Sequence, residues 1–338
     1  MGYPRKSLIC LDDTPYYHVV SRCVRRAWLW GYDAYAGKDY SHRKHWVMQR
    51  LRFLSNVFVM DLCAYAIMSN HYHLVLRVDC ERGARLTQED VVSRWTKLYR
   101  EPPLIQRWRE GNASAAEQII ASQLIDRWRR RLLDISWYMR SLNENLARRA
   151  NAEDECTGRF WEGRFKSQAL LDEAGVLTAM AYVDLNPVRA GVAATPEESE
   201  FTSIYARIQQ QTSELKTRGR LPAGTKPRVR INAPPLLSFR DENMQQPSLP
   251  MRLEDYLQLV DWTGRVPHAN KSALDSNLPT ILVRLQINPD AWRATMQVGG
   301  NHFGRAIGRM KRLRAHARKL GQAWIKGLQT SQRLYYCT

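Results

Sequence analysis

The stretch that most constrains this chain is an apolar run that breaks once and then alternates. Val57 to Met68 (VFVMDLCAYAIM) carries one charge, Asp61, and has the length of a buried strand. Ser69-Asn70 is a turn signal. His71 to Val78 (HYHLVLRV) then alternates with the period of two that puts successive side chains on opposite faces of a sheet. Two such strands joined by so short a turn make an antiparallel hairpin.

The flanking sequence extends the sheet. Tyr16 to Cys23 (YYHVVSRC) is rich in β-formers, and Tyr40 to Ser55 has helical spacing through Trp46, Val47, Arg50, Leu51 and Leu54. Residues 84–150 read as helical. Thr87-Gln88-Glu89-Asp90 resembles a helix start, and long helical patterns run from about Ala113 to Arg131 and from Ile135 to Arg149. Gly158 to Leu171 (GRFWEGRFKSQALL) has turn glycines and then a strand-like run. Asp172 is an N-cap for a helix from about Glu173 to Leu185, which Asn186-Pro187 ends. The order is β-α-β-β, a helical insert, then β-α. An α+β fold, an antiparallel sheet with helices packed on one face, fits it. The expected organisation is a catalytic domain over residues 1–210 with the insert at about 81–150, a Pro-rich linker over 211–250, and a smaller helical module over 251–338.

Net charge matters for the partner. The chain carries 51 Lys and Arg against 33 Asp and Glu, a formal +18 over 338 residues. Such an excess points to nucleic acid, because Lys and Arg contacts to phosphate supply most non-specific affinity; a merely basic protein has the same composition. The excess is uneven. From Ala291 to Thr338 no acidic residue occurs, while Arg305, Arg309, Lys311, Arg312, Arg314, Arg318, Lys319 and Lys326 do. Either an accessory DNA-binding unit or a solvated basic helix face produces that pattern, and self-repulsion of the charge favours the first. No apolar run is long enough for a membrane span, and the first residues lack the apolar segment of a secretory signal. The six cysteines form no C-x-x-C pair, which fits reduced thiols in a cytosolic protein.

His71 and His73 lie two apart on the second hairpin strand and project to one face, about 7 Å apart at the backbone. Two such imidazoles can share one divalent metal, yet two histidines on a solvated strand face look the same in sequence. Tyr182 and Asn186 sit four apart, on one helical face. A side-chain amide oxygen is a hard ligand suited to magnesium or manganese. A core tyrosine followed by an Asn-Pro stop has the same spacing.

Taken in order, His71-Tyr72-His73, the block Gly158-Arg159-Phe160-Trp161-Glu162-Gly163-Arg164-Phe165-Lys166-Ser167, and Tyr182-Val183-Asp184-Leu185-Asn186-Pro187-Val188-Arg189-Ala190-Gly191 resemble the REP-associated tyrosine transposases, a branch of the one-tyrosine HUH transposases. The similarity covers roughly residues 14–210. It implies a ferredoxin-like antiparallel sheet with helices, His71 and His73 as metal ligands, Tyr182 as nucleophile, and Asn186 as a third polar ligand, with Mg2+ or Mn2+ as cofactor. It also implies a cytoplasmic, nucleoid-associated bacterial protein that cleaves single-stranded DNA beside palindromic-repeat hairpins through a 5′-phosphotyrosine and rejoins strands. A homodimer stays open, as does a non-catalytic binder of repeat DNA or structured RNA. The helical insert and the basic C-terminal module are departures from the shortest members. Arg22, Arg159, Arg164 and Lys166 flank the expected site and are candidate phosphate contacts, and Arg305, Arg309, Lys311 and Arg312 are candidates in the C-terminal module.

Overall fold

The computed structural model describes residues 8–24, 29–33, 37–217, 232–241, 247–265, 278–298 and 303–336. Much of the expected linker, at 218–231 and 242–246, lies outside these residues, as does Cys337. In chain order the elements begin with β1 (Tyr16–Arg22), the small hairpin β2 (Tyr32–Asp33) and β3 (Lys38–Asp39), α1 (Arg43–Ser55), β4 (Met60–Ile67) and β5 (His71–Val78). Five helices follow: α2 (Cys80–Arg85), α3 (Gln88–Trp95), α4 (Pro103–Arg109), α5 (Ala115–Leu132) and α6 (Ile135–Glu153). Then come β6 (Lys166–Leu170), α7 (Glu173–Asp184), α8 (Asn186–Arg189), α9 (Ser203–Thr217), α10 (Leu253–Gly264), α11 (Thr280–Arg284) and α12 (Pro289–Val298). β7 (Ala306–Ile307), α13 (Met310–Lys319) and α14 (Leu328–Leu334) complete the described chain.

The main sheet has the order β4-β5-β1-β6-β7. Its first four strands pair antiparallel, with a register irregularity in β4 between Leu62 and Ala64. β7 departs from the expected antiparallel sheet by pairing parallel with β6, Ala169 against Ala306 and Leu170 against Ile307. The hydrogen bonds from Ala169 N to Arg305 O and from Leu171 N to Ile307 O hold it there.

Helices cover both faces rather than the one face expected. One face of β1, β4 and β5 (Tyr17, Val19, Leu62, Tyr65, Tyr72, Leu74, Leu76) packs in a large core with side chains of α1, α3, α4, α5, α6 and α13. The other (Cys63, Ala64, Ala66, Val75, with Leu170 of β6) packs in a second core with α7, α9, α10, α11, α12 and α14. The reason is visible in β4: its apolar residues do not alternate with polar ones, and a strand apolar on both faces must be covered on both. The C-terminal residues therefore build part of the second core, and Leu237 N also donates to Leu62 O of β4.

Local signals set the helix starts. Thr87 with Asp90 and Ser114 with Glu117 form reciprocal capping boxes for α3 and α5. Asp172 caps α7 by accepting from Gly175 N at 2.8 Å, and its second carboxylate oxygen accepts from Arg309 N at 2.7 Å. Gly175 is required there: a Cβ would sit 2.6 Å from the Ile307 carbonyl oxygen, so only glycine lets α7 lie this close to β7. At the far end of α7, buried Asp184 accepts from Ile204 N (2.9 Å), the Ser203 hydroxyl and the Tyr256 hydroxyl. Burial raises its carboxyl pKa, and these bonds act against the rise. α7 is thus fixed at both ends over the sheet.

Candidate active site

On β1, β5 and β6 the residues facing α7 are Tyr16, His18, Val20 and Arg22; His71, His73 and Val75; and Lys166 and Gln168, as strand alternation and register require. Val20 stands opposite both His73 and Lys166, His18 opposite Val75 and Gln168, and Arg22 opposite His71. α7 lays Tyr182 over this surface, with its ring centroid 5.8 Å from that of His73 and 6.1 Å from that of His18. Helix α8 begins at Asn186, whose side-chain nitrogen lies 3.2 Å from His73 Nε2. The four residues singled out in the sequence, His71, His73, Tyr182 and Asn186, therefore meet.

His71 and His73 have ring centroids 5.0 Å apart at an interplanar angle of 76°. His71 Nδ1 lies 2.7 Å from Asn70 Oδ1, an acceptor, so Nδ1 carries the proton and Nε2 keeps its lone pair. His73 Nδ1 lies 2.9 Å from His18 Nε2, and His18 Nδ1 lies 2.8 Å from Gln168 Oε1. Burial lowers the pKa of all three imidazoles: His18 to about 4, His71 to about 4 with further lowering by Arg22 and Arg189, and His73 well below its ordinary value. Neutral imidazole is the form that binds metal.

Among the described residues no group of three or more His, Cys, Asp or Glu side chains is arranged to hold a metal. A metal here would take two imidazole nitrogens and one amide oxygen from the protein. The amide oxygen is a hard donor of the kind Mg2+ and Mn2+ take, and the two imidazoles are borderline donors that suit first-row transition metals. Asn186 presents its nitrogen to His73 in this structure, and half a turn of the amide plane would present its oxygen.

A cavity of about 220 Å3 opens beside this group, lined among others by His18, His73, Lys166, Gln168, Tyr182 and Arg305. Arg189 packs on the tyrosine. Its guanidinium sits 4.0 Å from the centre of the Tyr182 ring, and its Nη1 is buried without a hydrogen-bond partner.

The other candidate contacts scatter. Arg22 borders the site beside His71 and is exposed. Arg159 and Arg164 are exposed on the loop before β6. The block around them has a packing role: Trp161 bridges to Cys23, its indole N–H donates to the Asn143 carbonyl at 2.9 Å, and its ring meets Tyr72 edge-on at 5.6 Å. Arg309 directs a guanidinium nitrogen to the Leu285 carbonyl at 2.8 Å. Lys311 and Arg312 are exposed on α13, which packs Leu313 and Ala317 into the core on the sheet face opposite Tyr182.

Four participants escaped the sequence reading. Arg189 stood inside the quoted Tyr182 block with no spacing rule to mark it. Asn70 read only as a turn former. His18 and Gln168 lie 150 residues apart and meet only through the β1–β6 register.

No protein-family model matches the chain, and no curated protein matches it. A solved structure of a REP-associated tyrosine transposase bound to a REP hairpin matches with a TM-score of 0.34 and 11% identity over 66% of this chain and 92% of that one. A TM-score of 0.34 is too low to carry fold family or function from one chain to the other. Among the described residues no helix is long and apolar enough to cross a membrane.

Proposed function

We propose that this protein is a metal-dependent, single-stranded-DNA tyrosine nuclease and strand transferase of the HUH type. The observation that carries the reading is the meeting of Tyr182 with the buried imidazole of His73, its neighbour His71 and the Asn186 amide. The resemblance of the three motif blocks and the charge of +18 support DNA as substrate, with the hairpins of palindromic repeats as the form to test.

The chemistry is a transesterification. Tyr182 Oη attacks the scissile phosphorus, a P–O(tyrosine) bond forms, and the P–O3′ bond breaks in line. The phenolic proton is balanced by the proton that the departing 3′ oxygen gains. The product is a 5′-phosphotyrosine and a free 3′-hydroxyl, and a 3′-hydroxyl can reverse the step and join strands without a nucleotide cofactor. His71 and His73, with Asn186 after its amide turns, would hold Mg2+ or Mn2+, which supplies Lewis-acid polarisation of a non-bridging phosphate oxygen. Arg189 stacks on the nucleophile's ring and has an unpartnered N–H for a phosphate oxygen. Lys166 and Arg305 line the cavity from β6 and from the residue before β7, where a strand backbone can run.

The test is a denaturing gel for a covalent protein–DNA adduct, using hairpin oligonucleotides with single-stranded flanks and Mg2+ or Mn2+. The wild type forms the adduct, and Tyr182→Phe does not while binding the hairpin with nearly unchanged affinity. An adduct that persists in Tyr182→Phe overturns the assignment. Hairpin binding without any adduct in the wild type identifies a binder, and cleavage without an adduct identifies a hydrolase that uses water.

A further inference from the structure

We propose that Gln168 and His18 form a hydrogen-bond relay, anchored on the Phe303 and Gly304 carbonyls, that holds His73 in the tautomer whose Nε2 is bare. The residues just before β7 would then belong to the metal-binding device. The proposal rests on reading His73 as a metal ligand.

The direction of each bond follows from the one before it. Gln168 Nε2 lies 2.7 Å from Gly304 O and 3.3 Å from Phe303 O. Carbonyl oxygens only accept, so the end of the amide facing them is the NH2 group. The amide oxygen is thereby aimed at His18 Nδ1, 2.8 Å away, and it too only accepts, so Nδ1 carries the His18 proton. The His18 side chain is buried, and its ring bonds to a neutral amide and a neutral imidazole. It holds one proton, and its Nε2 must accept. Its partner at 2.9 Å, His73 Nδ1, is therefore the donor. The two rings are tilted by 11° with centroids 5.1 Å apart, a separation that fits rings placed edge to edge across a 2.9 Å N–H···N bond. With its proton on Nδ1, His73 has a lone pair on Nε2, and the NH2 group of Asn186 at 3.2 Å matches a bare nitrogen there.

Imidazole ligands are commonly held by a partner on the other ring nitrogen, which fixes tautomer and ring plane. Here that partner is a second histidine, and its own orientation is dictated through Gln168 from a carbonyl 136 residues beyond that glutamine. No element of the first 210 residues supplies the two carbonyls.

The test reads the tautomer directly. In metal-free, DNA-free protein with 15N-labelled histidine, long-range 1H–15N correlation should show the His73 proton on Nδ1, assigned by its loss in His73→Gln. His18→Leu and Gln168→Leu should give mixed tautomers and bind Mn2+ about 10- to 100-fold more weakly by electron paramagnetic resonance titration. His18→Gln, whose amide oxygen can accept from His73 Nδ1, should recover most of that affinity. A proton on Nε2 of wild-type His73 overturns the proposal without any variant. Unchanged tautomer and Mn2+ affinity in both leucine variants also overturn it. Because the tautomer is read without DNA, a protein that never cleaves still tests the relay.

Discussion

Neighbouring residues of one strand have opposite duties. On β5, Tyr72, Leu74 and Leu76 enter the large core with α1, α5 and α6, while His71, His73 and Val75 face α7. On the first face Tyr72 is fully partnered: its hydroxyl donates to Asn143, the Asn143 amide donates to Ser21 Oγ at 2.9 Å, and Trp161 packs on the Tyr72 ring. On the second face His71 Nε2 keeps a lone pair, His73 Nε2 lies 3.2 Å from the Asn186 amide nitrogen, and an arginine keeps a buried N–H without a partner. A satisfied face stabilises, and a face with directed, unsatisfied groups can take a ligand. One strand does both because its period of two separates them.

The largest expected effect breaks this pair of faces at adjacent residues. His73→Ala should lower adduct formation by about 10³-fold or more, several kcal/mol of transition-state stabilisation, with little change in melting temperature. Tyr72→Ala should do the reverse: a drop of about 3–5 kcal/mol in urea unfolding, with adduct formation per folded molecule retained. If His73→Ala unfolds the protein, or Tyr72→Ala silences the folded fraction, the separation is wrong.

The legible part of the molecule follows the same division. The hairpin was readable because the Ser69-Asn70 turn and the alternation from His71 to Val78 are local. Thr87 and Asp172 were readable as helix starts because capping chemistry spans three residues. The run from Val57 to Met68 held an unused signal, since a strand with no polar alternation is covered on both faces. Strand β7 was not readable: two residues carry no period, and parallel pairing needs a partner over 130 residues away. His18 was not readable as a site residue for the same reason, because register across strands decides what a lone histidine meets. His71, His73, Tyr182 and Asn186 could be grouped from motif resemblance, and the structure brings them together around one point. Spacing alone left them open.

A smaller effect is expected at Arg189. Arg189→Ala should lower adduct formation by about 10²-fold, in the range of removing one preorganised donor to developing charge, and leave hairpin affinity within a few-fold. Arg189→Lys should recover only part, because an ammonium cannot both cover the ring and reach with a planar fork. A single-turnover rate unchanged in Arg189→Ala would remove the arginine from the phosphate site and leave it a packing residue on Tyr182.

The two faces should also differ in acid. The imidazoles of His18 and His71 sit near pH 4 in the folded chain against 6.5 when exposed, and His73 is displaced the same way. The unfolded chain therefore binds more protons than the folded one as pH falls below about 6.5. Stability is fully present above that value and is lost on the way down through about 4. The urea midpoint should be level from pH 8 to 7 and fall between pH 6.5 and 4. His18→Gln should flatten part of that fall, while Tyr72→Phe should lower the midpoint without changing its shape. An identical pH profile in His18→Gln would remove His18 from the acid response.

The smallest effect is expected at α13. Removing residues 251–338 is a poor test of an accessory DNA-binding role, because it takes away β7, the carbonyls behind Gln168 and much of the second core. Charge reversal at exposed positions leaves all three in place. Lys311 and Arg312 project from a helix whose apolar side is held in the opposite core and whose His316 and Lys319 pair with Asp13. If a hairpin stem crosses the β7 edge from the Tyr182 face to this helix, Lys311→Glu with Arg312→Glu should weaken binding at low salt. The slope of log K against log salt should then become shallower by about 0.9 for each phosphate that the helix no longer neutralises. The single-turnover rate of bound complex should not move, since neither residue reaches the cavity. A binding constant and slope equal to those of the wild type would make the helix a solvated basic face, and the hairpin's phosphates would then be sought on the Tyr182 face at Arg22, Arg159, Arg164, Lys166 and Arg305.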